Sequence, residues 1–106
     1  MLDMLRKAHK GGVKIAFGTD SGVSVHGNNA TELVLMVEAG MTPQEALLAA
    51  TVNAATHIDM IDVIGTIETG KLADIIAVKT NPLDNIEQMR DVGFVMKDGN
   101  VYKSEL

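Results

Sequence analysis

Apolar and polar positions follow two textures along this chain, and the change comes near residue 62. Before it, apolar residues recur at helical spacing between small-residue breaks; after it, they come in short runs separated by turns. Residues 3 to 10 fit the last turns of a helix, with Lys10 near its end and Gly11-Gly12 as the stop. Val13 to Phe17, rich in β-branched and aromatic residues, predicts a buried strand. Residues 18–29 form a loop rich in Gly, Ser and Asn, after which Asn29 is the expected N-cap of a helix over 30–39 ended by Gly40. Thr42-Pro43-Gln44-Glu45 reads as a capping box with proline at the first helical position. Thr51 is the expected cap of a further helix, from Val52 to about Ile58. Beyond the break, Asp74 to Val78 reads as a strand ended by Asn81-Pro82-Leu83, and residues 84–90 as a helical turn. Asp98-Gly99, between two apolar runs, is a hairpin signal.

Composition narrows the function classes. With 106 residues and 46% hydrophobic content, the chain can bury one modest core. A net charge of −5 and 3% aromatic residues argue against a nucleic-acid partner, which calls for clustered basic residues and stacking rings. No apolar run approaches membrane-spanning length, so no membrane partner is expected. Cysteine is absent, which excludes disulfides, thiolate metal sites and a cysteine nucleophile.

The candidate chemistry begins at Asp20, where the predicted strand runs into Gly18-Thr19-Asp20-Ser21-Gly22. In an α/β barrel, polar residues at the C-terminal ends of strands line the mouth where reactions occur. A carboxylate there can ligate a metal or act as a general base; its plain alternative is a turn or cap. His26 follows six residues later in the same loop, as a substrate contact or a solvent-exposed histidine.

Four stretches in order, G-T-D-S-G, H-G-N-N-A-T-E-L, E-A-G-M-T-P-Q-E-A-L and I-G-T-I-E-T-G-K-L-A-D-I-I-A-V, resemble the C-terminal part of the amidohydrolase superfamily. The likeness covers nearly all of residues 5 to 103 and is greatest to imidazolonepropionase-like and Xaa-Pro dipeptidase-like enzymes. It implies an α/β fold in two parts. Residues 1–60 would be the C-terminal part of a TIM barrel (its last strand and the helices after it), and 61–106 the C-terminal strands of a small β-sandwich domain. A complete barrel needs about 250 residues, so the resemblance implies a piece of a larger metal-dependent hydrolase. The opening Met1 to Lys10 likewise reads as the end of a helix.

The resemblance further implies that Asp20 binds a divalent metal, zinc being the first choice, and takes the proton from the attacking water. The substrate would be a small molecule or dipeptide-like compound cleaved at an amide or cyclic-amide C–N bond, with His26 touching its carboxylate or carbonyl. The family's other ligands, a His-x-His, a Lys or Glu and two further histidines, lie in segments absent from this sequence. The chain alone is therefore expected to be inactive, and to form a homo-oligomer or associate with the missing barrel through exposed strand edges. A cytoplasmic location is expected. The alternative is a non-catalytic interaction or regulatory piece docking through those edges. A nucleotide-binding domain rests only on glycine-rich turns, and Gly70-Lys71 lacks the spacing and following helix of a phosphate loop.

The remaining candidates have structural explanations. His9 reads as surface or packing, and Glu32 and Glu45 as helix first-turn charge and half of the capping box. Asn28 and Asn29 read as turn and cap. His57 replaces the Leu-Gly pair that relatives show at the helix end, which concerns the helix exit. The seven methionines read as core filler.

Overall fold

The computed structural model describes residues 2–18 and 29–106. Four helices come first: α1 (Leu2–Lys10), α2 (Ala30–Glu38), α3 (Pro43–Ala50) and α4 (Val52–His57). An antiparallel sheet of order β1-β2-β3 follows, from β1 (Ile75–Val78), β2 (Val92–Lys97) and β3 (Asn100–Ser104). A 3₁₀ helix, Ile86–Arg90, lies between β1 and β2.

Local chemistry sets most boundaries. Thr42 caps α3: its hydroxyl accepts from the Glu45 amide at 3.1 Å, and the Glu45 carboxylate accepts from the Thr42 amide at 2.9 Å. At the end of α2, Gly40 takes φ +113°, a left-handed conformation open to glycine at low cost. Its amide bonds back to Val37 and that of Met41 to Met36, a Schellman closure completed by the burial of both methionines. The Asp98-Gly99 turn has positive φ at both residues, as a type I′ hairpin requires. The Asp74 carboxylate accepts from the Asp98 amide at 2.8 Å, which pins the turn against the segment entering β1.

Two expected caps differ. Asn29 is already helical, at φ −61° and ψ −27°, and its side chain makes no cap bond; its carbonyl accepts from the Glu32 amide instead. Thr51 does not cap α4 with its side chain. Its hydroxyl donates backwards to the Leu47 carbonyl at 2.7 Å, closing α3, one of the two local bonds open to threonine there. The helix exit at His57 is made by Asp59, at φ +59°, whose amide bonds Thr56 while that of Met60 bonds Ala55. An aspartate thus takes a left-handed conformation, one that Asp tolerates better than most residues.

The largest difference concerns residues 13–17. They form no strand ladder among the described residues, because no neighbouring strand lies alongside to supply one. Burial is confined to two of them: Ile15 and Phe17 pack against the core, whereas Val13, Lys14 and Ala16 are exposed. That core comprises Leu33, Met36, Met41, Ala46, Ala49 and Ile86. It draws on both sides of residue 60, since Ile86 and Met89 of the 3₁₀ helix pack into it, and Arg90 donates to the Thr31 hydroxyl at 2.9 Å. Methionine is only partly core filler: Met36 and Met41 are buried, and Met4 is 71% exposed.

Candidate functional site

Asp20 and His26, the residues given chemical roles, lie outside the described residues, as does Asn28. The segment that leads to Asp20 is described. The Phe17 amide donates to the Ala49 carbonyl, at the end of α3, at 2.9 Å. Two residues earlier, the Ile15 carbonyl accepts from the side-chain amide of Asn53, in α4, also at 2.9 Å. With Ile15 and Phe17 packed on the core, these bonds tie both backbone and side chains of the segment to the α3–α4 pair.

His9 and Glu45 come together, although 36 residues apart. His9 Nε2 lies 3.0 Å from Glu45 Oε2, while Glu45 Oε1 serves the capping box, so one carboxylate closes α3 and links it to α1. With Lys14 and Asn53 they line a cleft of about 240 Å³. The Thr42 amide, followed by the His9 hydrogen bond, holds the Glu45 carboxyl down at about 2, from an ordinary 4.5. The fold therefore favours ionised Glu45. Its contribution is complete above about pH 4.5 and is lost as pH falls through about 2. Glu45→Gln keeps a capping-box side chain but no charge. Urea unfolding should show a smaller loss of stability in Glu45→Gln than in the parent between about pH 5 and about pH 2.5. Equal losses would remove Glu45 from the acid response.

The other candidates stand apart from this pair. His57 is exposed at the end of α4, and Glu32 sits in the first turn of α2. Lys71 is occupied: its ammonium donates to the Thr66 hydroxyl at 2.6 Å and pairs with Glu68 at 2.9 Å, so Gly70-Lys71 offers no free cation to a phosphate. The Thr66 hydroxyl in turn hydrogen-bonds Glu68, and these contacts lower the Glu68 pKa. Asn53 carried no signal in the sequence beyond its helical setting, because its partner lies 38 residues away.

Among the described residues no three His, Asp or Glu side chains come together as a metal site. By donor type Asp20 suits a divalent cation, but a catalytic zinc usually takes three protein ligands. No described helix is long and apolar enough to cross a membrane.

The amidohydrolase family model matches residues 1–103. Ochratoxinase of Aspergillus niger is 41% identical over 101 residues, an alignment covering 91% of this chain and 21% of that protein. Imidazolonepropionase of Fusobacterium nucleatum subsp. nucleatum is 40% identical over 73 residues, 66% of this chain and 18% of that one. A crystal structure of a Xaa-Pro dipeptidase with bound methionine in its active site is 50% identical and superposes with a TM-score of 0.93, over 97% of this chain and 25% of that one. The chain thus spans about a fifth to a quarter of the length of these relatives. It belongs to the amidohydrolase family.

Proposed function

We propose that this chain forms part of a metal-dependent amidohydrolase that cleaves an amide, peptide or cyclic-amide C–N bond in a small or dipeptide-like substrate. The observation that supports this most is the family match across residues 1–103; in the sequence, Asp20 stands three residues beyond Phe17, whose segment is bonded to α3 and α4. In this reading Asp20 holds the divalent metal, zinc in the first instance, and accepts a proton from the water that attacks the scissile carbon. His26 contacts a carboxylate or carbonyl of the substrate. Bound metal would supply Lewis acidity and bring the pKa of water towards neutrality. Residues 1–60 would be the end of the barrel and 61–106 part of the sandwich, with the 3₁₀ helix at the seam. The exposed apolar residues Ile58, Ile67 and Ile76 fit an association with further polypeptide, as a homo-oligomer or with the rest of a barrel. The setting proposed is cytoplasmic, and the 106 residues alone would be inactive for want of ligands.

Metal removal tests the reading. Dialysis of the complete protein, as its gene encodes it, against a chelator should abolish hydrolysis of Xaa-Pro dipeptides and N-acyl amino acids, and added zinc should restore it. Turnover that survives complete removal of metal would overturn the proposal.

A further inference from the structure

We infer that Asp98-Gly99 is a latent modification site, where the backbone converts to isoaspartate through a succinimide, and that Asp74 and Ala73 hold it closed in the folded chain. The reaction needs no partner but water. The Gly99 nitrogen attacks Cγ of the protonated Asp98 side chain; the N–Cγ bond forms, the amide proton passes to solvent and the carboxyl hydroxyl leaves as water. Hydrolysis of the ring at Cγ returns aspartate. Hydrolysis at the Asp98 backbone carbonyl breaks its bond to the Gly99 nitrogen and leaves the chain running through the side chain, as isoaspartate. Glycine hinders this attack least, having no side chain beside the nitrogen.

The fold obstructs each part of that step. The attacking nitrogen is engaged: the Gly99 amide donates to the Ala73 carbonyl at 3.1 Å. Asp98 is held as well, its own amide donating to Asp74 Oδ1 at 2.8 Å, while Asp74 Oδ2 lies 3.9 Å from Lys97 Nζ. Both turn residues have positive φ, +48° and +78°, and the ladder of β2 and β3 fixes the peptide between them. Ring closure must swing that peptide plane until the Gly99 nitrogen meets Cγ, which breaks the bond to Ala73. The reaction is therefore open only to molecules whose hairpin has come away from residues 73 and 74. Its product disturbs the sheet. Isoaspartate adds a methylene to the backbone of a two-residue turn, and so shifts the pairs Lys97–Asn100 and Met96–Val101 that the turn aligns. One opening at this corner thus becomes a lasting change in β2 and β3.

The test follows isoaspartate at residue 98 in the complete protein, kept at mildly acid pH and then digested, by mass spectrometry with electron-transfer fragmentation. Parent, Asp74→Ala and Asp74→Asn are compared, each folded and in urea. Isoaspartate in the folded parent should form at about a tenth of the rate in urea or less. Equal rates would overturn the inference. Asp74→Ala, which keeps no acceptor for the Asp98 amide, should raise the folded rate by about threefold or more. Asp74→Asn, whose Oδ1 still accepts, should stay within about twofold of the parent. A folded Asp74→Ala at the parent rate would remove Asp74 from the protection and overturn the inference. If Asp74→Ala does not fold, Asp98→Asn carries the test. Asn-Gly suits the same turn and closes the same ring with loss of ammonia. Its deamidation, read as a mass change, should be about tenfold or more slower in the folded protein than in urea, and equal rates would again overturn the inference.

Discussion

Asp20→Asn in the complete enzyme is expected to lower kcat by about two to four powers of ten while leaving the folded structure intact. Asparagine keeps the size of the side chain but removes its negative charge and its capacity to accept a proton. Loss of general-base action alone accounts for about 10²- to 10⁴-fold. Loss of a carboxylate ligand would add reduced metal content, so metal analysis of the purified variant separates the two contributions. Full metal occupancy with a large fall in kcat would identify Asp20 chiefly as the base; depleted metal whose replacement restores turnover would identify it chiefly as a ligand. Stability should change little, because the groups that hold the preceding segment are Asn53, Ala49 and the core contacts of Ile15 and Phe17. A variant with near-parental turnover at full metal occupancy would remove Asp20 from the mechanism.

What could be read in advance was what neighbouring residues decide among themselves. The Thr42–Glu45 box, the Gly40 stop and the Asp98-Gly99 turn each depend on a few consecutive residues, and all three appear where the sequence puts them. Thr51 was legible as a helix boundary but not in its bonding, since its hydroxyl could turn forward to α4 or back to α3. Residues 13–17 read as a buried strand, and only Ile15 and Phe17 pack on the core; a strand also requires a neighbour, and no property of those residues supplies one. Contacts between distant residues were not legible at all. His9 reads as surface or packing until α1 and α3 are placed side by side, and Asn53 reads as scaffold until the Ile15 carbonyl is found beside it. For the candidate site, the sequence names residue types and a family resemblance. The bonds that hold the approach to Asp20 come only from the fold.

The largest effect on stability is expected at Gly65, which sits against the first turn of α4. Its φ of +100° is one that side chains adopt at a cost of about 1–2 kcal/mol. A methyl group placed there would lie 2.9 Å from Ala55 Cβ, 3.1 Å from Ile61 Cδ1 and 3.3 Å from the Thr51 carbonyl oxygen. The isoleucine end can swing aside, but Ala55 is 2% exposed, and the Thr51 carbonyl accepts the Ala55 amide at 2.9 Å in the first turn of α4. Overpacking of this kind costs about 1–3 kcal/mol, so with the backbone cost Gly65→Ala should destabilise the fold by about 2–5 kcal/mol in urea unfolding. A double-mutant cycle separates the two causes. Ala55→Gly costs about 1 kcal/mol by itself as a helix glycine, yet it removes the nearest clash. The double variant should therefore be more stable than the sum of the single losses predicts, by about 1 kcal/mol or more, with the backbone cost at residue 65 remaining. Strict additivity would show that the close approach of residue 65 to α4 is unimportant, and a loss below about 0.5 kcal/mol in Gly65→Ala would show that neither conformation nor contact constrains this position.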